Sequence, residues 1–190
     1  MEKYETTLKV HGVASCWQMF EEDKIDRKYQ KVNLAITGRT GTGKSSFINA
    51  LVSKWTGRSP AEVGVTEATM NCTGYEHPIN PNIILWDLPG FGTDKFPHVS
   101  YLQQVNADLY DVFIIMTADR FTELDTRLAK EVQGRIKPVI FVRTKIGHDV
   151  ANSKHVHPGK DEKVVLEEIK AYMMAKCAEF LHSLGVFSDR

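Results

Sequence analysis

Residues 38–45 read Gly38-Arg39-Thr40-Gly41-Thr42-Gly43-Lys44-Ser45. They match the pattern G-x-x-x-x-G-K-[ST] at every fixed position, directly after an apolar run and before a helical pattern. Glycines let the backbone curve around an anion, and the start of the following helix adds a dipole that favours negative charge. The sequence therefore predicts a P-loop that binds a nucleotide through all eight residues and Ser46. In such a loop Lys44 meets the β- and γ-phosphates, and Ser45 offers its hydroxyl to Mg²⁺.

Apolar runs alternate with helical patterns on both sides of this loop. The alternation predicts an α/β fold with a mostly parallel central sheet and flanking helices. We expect five strands, over residues 32–37, 70–76, 83–86, 112–116 and 139–142. Helical spacing predicts helices that begin near residue 43, cover residues 102–109, follow four-residue steps from Leu124 to Ile136, and span residues 161–184. Turn residues and polar side chains predict loops at residues 58–69 and 152–160.

The size and charge of the chain limit the classes of function that it can have. It has 190 residues, and 24 Lys and Arg balance 24 Asp and Glu. This length fits one domain, and the balanced charge argues against binding to nucleic acid. No apolar run approaches the roughly 20 residues of a membrane span, and no secretory signal is recognised, so we expect a cytoplasmic protein. Apolar spacing between Val10 and Phe20 predicts an N-terminal helical segment at residues 1–30, either packed on the domain of residues 31–190 or binding a partner or membrane.

A second motif, Asp87-Leu88-Pro89-Gly90, follows the strand predicted over residues 83–86. An acid at the end of this strand can hold the magnesium shell through water, and Gly90 can place its N–H against the γ-phosphate without steric obstruction. A turn-capping aspartate is the alternative role for Asp87. The D-x-x-G pattern favours the metal role, so we expect both Asp87 and Ser45 to serve Mg²⁺.

Two threonines, Thr66 and Thr69, lie in or beside the loop predicted between these motifs. Nucleotide switches close such a threonine over Mg²⁺ and the γ-phosphate. Both residues qualify by position, and we favour Thr69 as the ligand of metal and nucleotide.

Thr144 and Lys145 follow the last predicted strand and resemble the start of the base-reading motif [NT]-K-x-D. We expect both to bind the nucleotide. In that motif the aspartate accepts two hydrogen bonds from guanine, but Gly147 takes its place here, and Asp149 could replace it only if the loop shifted. Losing this contact costs on the order of 3 kcal/mol, so the preference between guanine and adenine stays open.

Four stretches together resemble the immunity-related, interferon-inducible GTPases: residues 31–38 (KVNLAITG), 64–70 (GVTEATM), 85–90 (LWDLPG) and 141–145 (FVRTK). The resemblance extends from the N-terminal helix to the end of the chain. It implies a Ras-like G domain of the P-loop NTPase class that takes GTP or GDP with Mg²⁺. The family continues with a sixth strand and a helical domain, so we expect this G domain to lack its last strand.

The resemblance also implies a dynamin-like role in cell-autonomous immune defence. In the family, GTP promotes self-assembly, two G domains meet face to face, and the proteins act at intracellular membranes, including those of pathogen-containing vacuoles. A glutamate in the first switch serves hydrolysis, and Glu67 matches it. Glu67 would compensate for Phe91, which stands where many small GTPases carry a water-orienting glutamine. Glu67 and Lys44 are therefore the expected catalytic residues.

Three functions remain open at this stage. The first is a GTPase that hydrolyses GTP after dimerising, supported by the phosphate and magnesium motifs and by Glu67. The second is a non-catalytic or nucleotide-promiscuous regulator of related GTPases, favoured by Gly147. The third is another P-loop class, an ATPase or nucleotide kinase, against which the D-x-x-G motif and Thr144-Lys145 argue.

Overall fold

The computed structural model describes residues 15, 30–56, 62–65 and 72–184. The side chains of residues 54–56 and 62–65 are outside this description. The predicted N-terminal helix therefore lies outside the described residues, apart from residue 15. The same holds for Thr66, Glu67 and Thr69, so the switch threonine and the catalytic glutamate stay predictions.

Six strands and five helices make up the described chain. The strands are β1 (Val32–Gly38), β2 (Glu62–Val65), β3 (Thr73–Glu76), β4 (Ile83–Asp87), β5 (Val112–Thr117) and β6 (Val139–Arg143). The helices are α1 (Lys44–Thr56), α2 (Tyr101–Gln104), α3 (Glu123–Gly134), α4 (Ile146–Val156) and α5 (Glu162–Ser183). Short 3₁₀ turns at His98–Ser100 and Ala107–Leu109 flank α2.

The strands form one sheet in the order β2-β3-β4-β1-β5-β6. Strands β4, β1, β5 and β6 are parallel to their neighbours in this run, whereas β3 pairs antiparallel with both β2 and β4. The mostly parallel α/β sheet with flanking helices confirms the predicted fold class. Within the described residues, β6 is one edge of the sheet and β2 is the other.

The sheet separates two apolar cores because neighbouring residues of a strand face opposite sides. Ala35 belongs to the larger core with residues from α2, α3 and α5, and Ile36 belongs to the smaller core with residues from α1. Both side chains are fully buried. The central strand β1 is thus fixed on both faces, and it ends at the predicted P-loop.

Four boundaries predicted from the sequence are wrong. The predicted loop at residues 58–69 contains β2. The strand predicted over residues 70–76 is present as β3, and residues 70 and 71 lie outside the described part of the chain, so its predicted start is not among these errors. The predicted helix over residues 102–109 breaks at Asn106, which has a φ of 52°. Helix α3 stops before Ile136, whose φ is 59° and whose side chain is 93% exposed.

The fourth error is the loop predicted at residues 152–160, because α4 continues to Val156. Of its residues only Val150 is buried, so the helix has almost no apolar stripe that a sequence pattern could reveal. Of the described helices, none combines the length and the apolar character that crossing a bilayer requires.

Candidate nucleotide site

The predicted motifs meet at one edge of the sheet. Strands β1, β4, β5 and β6 are parallel, so their carboxyl ends lie side by side. The P-loop follows β1, the D-x-x-G loop follows β4, and Thr144-Lys145 follow β6. Ligands of open α/β sheets bind beyond these carboxyl ends, which makes this edge the candidate site.

Two glycines are required by close backbone approach. Gly38 has a φ of 154°, and a Cβ there would lie 2.4 Å from the carbonyl oxygen of Met116 on β5. A Cβ on Gly90 would lie 2.7 Å from the backbone nitrogen of Thr40. The P-loop and the D-x-x-G loop therefore touch backbone to backbone at Gly90, and a larger residue there would separate them, whereas a larger residue at Gly38 would push the P-loop away from β5.

Lys44 opens α1, and its ammonium group points back into the P-loop. Its Nζ donates to the carbonyl oxygens of Gly38 at 3.2 Å and Arg39 at 3.3 Å. The side chain is buried, and this burial lowers the pKa of Lys44, while the nearby charge of Asp87 opposes the shift. A desolvated ammonium inside a loop of backbone amides is arranged to meet a polyanion.

Ser45 and Asp87 face each other where the two loops meet. The Ser45 hydroxyl donates to Oδ2 of Asp87 at 2.5 Å. Burial raises the pKa of Asp87, and the Ser45 hydrogen bond and the Lys44 charge lower it in part. A hydroxyl and a carboxylate side by side are hard oxygen donors of the kind that Mg²⁺ takes together with phosphate oxygens. The pair fits a magnesium ion, and it favours the metal role of Asp87 over turn capping.

Phe91 follows the D-x-x-G glycine, and its side chain is directed into the protein. It is 1% exposed, and its ring packs on Tyr101 with centroids 5.6 Å apart and on His98 with centroids 6.0 Å apart. A buried phenyl ring cannot orient water. The described part of the D-x-x-G loop thus contributes backbone, and hydrolysis would need a side chain from another segment.

The base-reading loop is tied directly to the P-loop. The Thr144 hydroxyl is within hydrogen-bond distance of the carbonyl oxygens of Thr42, at 2.7 Å, and Thr117, at 3.2 Å. Lys145 follows with a φ of 55° and is exposed, and α4 begins at the next residue. The position of Lys145 beside the loop agrees with a lysine that packs along a base.

The guanine-reading aspartate has no direct substitute in this loop. Gly147 lies on the exposed first turn of α4, where an added Cβ would meet nothing within 4 Å. Asp149 accepts a hydrogen bond from the Arg143 guanidinium, whose side chain is 8% exposed. Because Arg143 already binds this carboxylate, Asp149 is not free to take the place of the missing aspartate.

The structure thus brings most of the predicted residues together. Contacts within or between the loops involve Gly38, Arg39, Thr40, Thr42, Gly43, Lys44, Ser45, Asp87, Gly90 and Thr144. Gly41 lies at the exposed turn of the P-loop, and Ser46 lies on the exposed first turn of α1.

One residue that links the end of β1 to the D-x-x-G loop was not predicted. The Tyr101 hydroxyl lies 2.6 Å from the Thr37 hydroxyl and 2.9 Å from the carbonyl oxygen of Pro89. In the sequence Tyr101 is one more large side chain next to Leu102, and nothing local marks its hydroxyl. Only the sheet, which brings β1 and β4 together, reveals the contact.

Comparison with known proteins assigns the chain to a family. The interferon-inducible GTPase (IIGP) family matches residues 2–183. Interferon-inducible GTPase 1 of Mus musculus is 42% identical over 143 residues, which are 73% of this chain and 34% of that protein. T-cell-specific guanine nucleotide triphosphate-binding protein 2 of Mus musculus is 41% identical over 182 residues, which are 94% of this chain and 43% of that protein.

A third relative, interferon-inducible GTPase 5 of Rattus norvegicus, is 38% identical over 192 residues, with 100% of this chain and 41% of that protein covered. The chain spans less than half the length of these three relatives. Among solved structures, the G domain of the T. maritima FeoB iron transporter matches with a TM-score of 0.46 and 21% identity, over 77% of this chain and 98% of that chain. With a family match over residues 2–183 and relatives about 40% identical, the chain belongs to the interferon-inducible GTPase family.

Proposed function

We propose that this chain binds GTP with Mg²⁺ and hydrolyses it to GDP. The observation that carries the proposal is the Lys44 ammonium, buried inside the P-loop, with the Ser45 and Asp87 oxygens beside it. The Lys44 ammonium, the Ser45 hydroxyl and the Asp87 carboxylate lie together at one edge of the sheet. The P-loop leads directly into the N-terminus of α1, which adds a favourable dipole for negative charge. That arrangement suits a magnesium triphosphate better than any neutral ligand.

Each group would have a separate task in this site. P-loop amides and Lys44 would bind the phosphates, and the Gly90 N–H would face the γ-phosphate. Ser45 and Asp87 would hold Mg²⁺ together with Thr69, and the ion would neutralise charge on the phosphate oxygens. Phe91 is buried, so we assign the positioning of water to Glu67. Lys145 and Thr144 would support the base.

The cellular part of the proposal rests on the family. The matched relatives are named as GTPases or as a guanine nucleotide triphosphate-binding protein, and the family as interferon-inducible. We propose a dynamin-like protein of cell-autonomous innate immunity, which associates with itself or with related GTPases through G-domain faces. We place it in the cytoplasm, peripheral on endomembranes or pathogen-containing vacuoles.

A second candidate function is a nucleotide-promiscuous or non-catalytic regulator of related GTPases. Gly147 offers no carboxylate to guanine, and Arg143 holds Asp149. This candidate predicts similar affinities for GTP and ATP. It also predicts that the chain changes the turnover or assembly of a longer relative when the two are mixed.

Calorimetry with GTP, GDP and ATP, with and without Mg²⁺, tests the proposal. We expect magnesium-dependent binding of GTP and release of phosphate on incubation. Lys44→Ala should weaken GTP binding by about two powers of ten, since Nζ would serve two phosphates and a charged hydrogen bond contributes about 1.5–3 kcal/mol. Lys31→Ala is the matched control, because Lys31 is an exposed lysine that precedes β1 and is paired only with Glu76 in the described structure.

Two results would reject the first function. Lys44→Ala with the affinity of the unchanged chain would mean that nucleotide does not bind in the P-loop. Tight GTP binding without any phosphate release, even at high protein concentration, would favour the non-catalytic regulator.

A further inference from the structure

Resting on the proposed function, we infer that Tyr101 is a positioning residue of the triphosphate site. Its hydroxyl joins the strand that enters the P-loop to the D-x-x-G loop. It thereby fixes the place of the Gly90 N–H, the group assigned to the γ-phosphate.

The hydrogen bonds around Tyr101 have one direction. The Pro89 carbonyl oxygen can only accept, so the Tyr101 hydroxyl donates to it at 2.9 Å. The Tyr101 oxygen is then left as the acceptor for the Thr37 hydroxyl at 2.6 Å. Burial raises the pKa of Tyr101 well above its ordinary value, so the phenol keeps the proton that it donates. Thr37, Tyr101 and Pro89 thus form a chain of two hydrogen bonds that joins strand β1 to the D-x-x-G loop.

Water cannot replace this chain of bonds. Tyr101 and Thr37 are both 0% exposed. Removing the phenol oxygen would leave the Pro89 carbonyl without this donor and the Thr37 hydroxyl without this acceptor, in surroundings where an unpaired polar group is costly. The Pro89 carbonyl would then be free to turn away, and the peptide plane that joins Pro89 to Gly90 would turn with it.

Gly90 depends on its neighbours for its position. It has no side chain, and its backbone is pressed against Thr40 of the P-loop. The residue before it is held by the Tyr101 hydroxyl, and the residue after it, Phe91, packs on the Tyr101 ring with centroids 5.6 Å apart. One side chain therefore grips the D-x-x-G turn on both sides of Gly90. The ring of Phe96 also packs on Tyr101, with centroids 6.5 Å apart, and this contact restricts the movement of the Tyr101 side chain.

Loss of the hydroxyl should affect triphosphates and not diphosphates. GDP has no γ-phosphate, so its binding depends on the P-loop and the base loop, which Tyr101 does not touch through its hydroxyl. A non-hydrolysable GTP analogue needs the Gly90 N–H in place. The ratio of the two affinities thus separates a positioning role from a general loss of stability.

The test compares Tyr101→Phe with Tyr110→Phe in the full chain. Tyr110 is also a buried core phenol, but its hydroxyl interacts with Cys72 and has no hydrogen bond to either phosphate loop among the described residues. We expect Tyr101→Phe to weaken binding of the GTP analogue about threefold to tenfold, the size of one hydrogen bond, and to lower kcat. GDP affinity should stay within about twofold, and Tyr110→Phe should change neither affinity. Thr37→Val, which breaks the other bond of the chain, should shift the same ratio in the same direction.

Equal weakening of GDP and the GTP analogue by Tyr101→Phe would overturn the inference, because Tyr101 would then only stabilise the fold. An unchanged ratio in both Tyr101→Phe and Thr37→Val would overturn it as well, while leaving the proposed function intact. If the unchanged chain binds neither nucleotide, the proposed function fails, and the role of Tyr101 fails with it.

Discussion

Lys44 and Asp87 are charged groups in a part of the protein where charge is costly. Burial lowers the pKa of Lys44 and raises the pKa of Asp87, and in each case the opposite charge offsets only part of the shift. Both groups would lose this cost on meeting a magnesium triphosphate, since phosphate oxygens pair with the ammonium and the metal with the carboxylate. The two residues therefore favour ligand binding over the stability of the unliganded fold.

Asp87→Asn should separate binding from stability. The raised pKa of Asp87 means that the folded chain binds more protons than the unfolded chain just above the ordinary aspartate range, so its contribution to stability falls as pH rises through that window. Asparagine removes the half-buried charge and can still accept the Ser45 hydrogen bond. We expect urea unfolding at pH 7, without nucleotide, to give an equal or higher free energy for the variant, while magnesium-dependent GTP binding is lost.

Ser45→Ala is the control for this prediction. It removes the hydroxyl and leaves the half-buried Asp87 charge without the 2.5 Å bond, so it should lower the free energy of unfolding. Asp87→Asn that unfolds more easily than the unchanged chain would show that the carboxylate contributes more to the fold than its desolvation costs.

Gly147 offers a gain-of-function test of base reading. An aspartate there would enter open space on the first turn of α4, an end of the helix where negative charge is favourable. Gly147→Asp should raise the preference for GTP over ATP by about one to two powers of ten, the usual value of a bidentate contact to a buried polar edge. Competition binding of the two triphosphates measures this ratio.

Gly159→Asp provides the same chemical change at a distance from the base loop. Gly159 also has open space around it and lies in the turn between α4 and α5. It should leave the ratio of GTP to ATP affinity unchanged. A Gly147→Asp variant with no gain would mean that the base does not lie against the start of α4.

At the scale of elements, local sequence signals were enough to predict the P-loop. The features that the sequence did not predict depend on contacts between segments that are far apart in the chain. Gly38, Lys44 and Ser45 stand at fixed spacing between a strand and a helix, so the motif could be read directly. Strand β2 has four residues, Glu-Val-Gly-Val, and it exists only through pairing with β3. The Arg143–Asp149 pair and the Tyr101 contacts likewise depend on which segments the fold brings together, and a single sequence carries no signal for them.

The start of helix α3 is marked by a capping motif that its sequence contains. Thr122 caps it: the Thr122 hydroxyl accepts from the Asp125 N–H at 3.4 Å, and the Asp125 carboxylate accepts from the Thr122 N–H at 2.8 Å and the Thr122 hydroxyl at 2.7 Å. Asp125 is 1% exposed, so its Oδ2 atom takes its hydrogen bonds from Thr122 and not from bulk water. Thr122→Ala should lower the free energy of unfolding by about 1–2 kcal/mol in a urea titration.

Thr122→Ser is the conservative partner of that variant. Serine keeps the hydroxyl that bonds to Asp125 and should restore most of the lost stability. If alanine and serine were equally destabilising, the effect would come from the lost methyl group and not from the cap.

At the scale of the whole molecule, the candidate site opens at one edge of the sheet, and its described part contains no side chain suited to activating water. Phe91 is buried in the core, and Lys44 and Asp87 are engaged with the phosphates and the metal in the proposed site. Glu67 is the proposed catalytic group, and in the proposed self-association two such faces would meet across their nucleotides. Catalysis would then depend on association, because the second face would exclude water and fix the first switch over the γ-phosphate.

Turnover per molecule should therefore rise with protein concentration. Phosphate release from GTP at fixed magnesium, measured over a hundredfold range of protein, should give a specific activity that increases toward a plateau, whereas a monomeric enzyme gives a constant value. Light scattering should rise with GTP and not with GDP. Glu67→Ala should still bind GTP and scatter light but release little phosphate, and Lys44→Ala should do none of these.

A specific activity that is constant over the whole range, with full turnover in Glu67→Ala, would mean that each copy orients its own water with another group. The face-to-face arrangement would then have no part in hydrolysis by this chain.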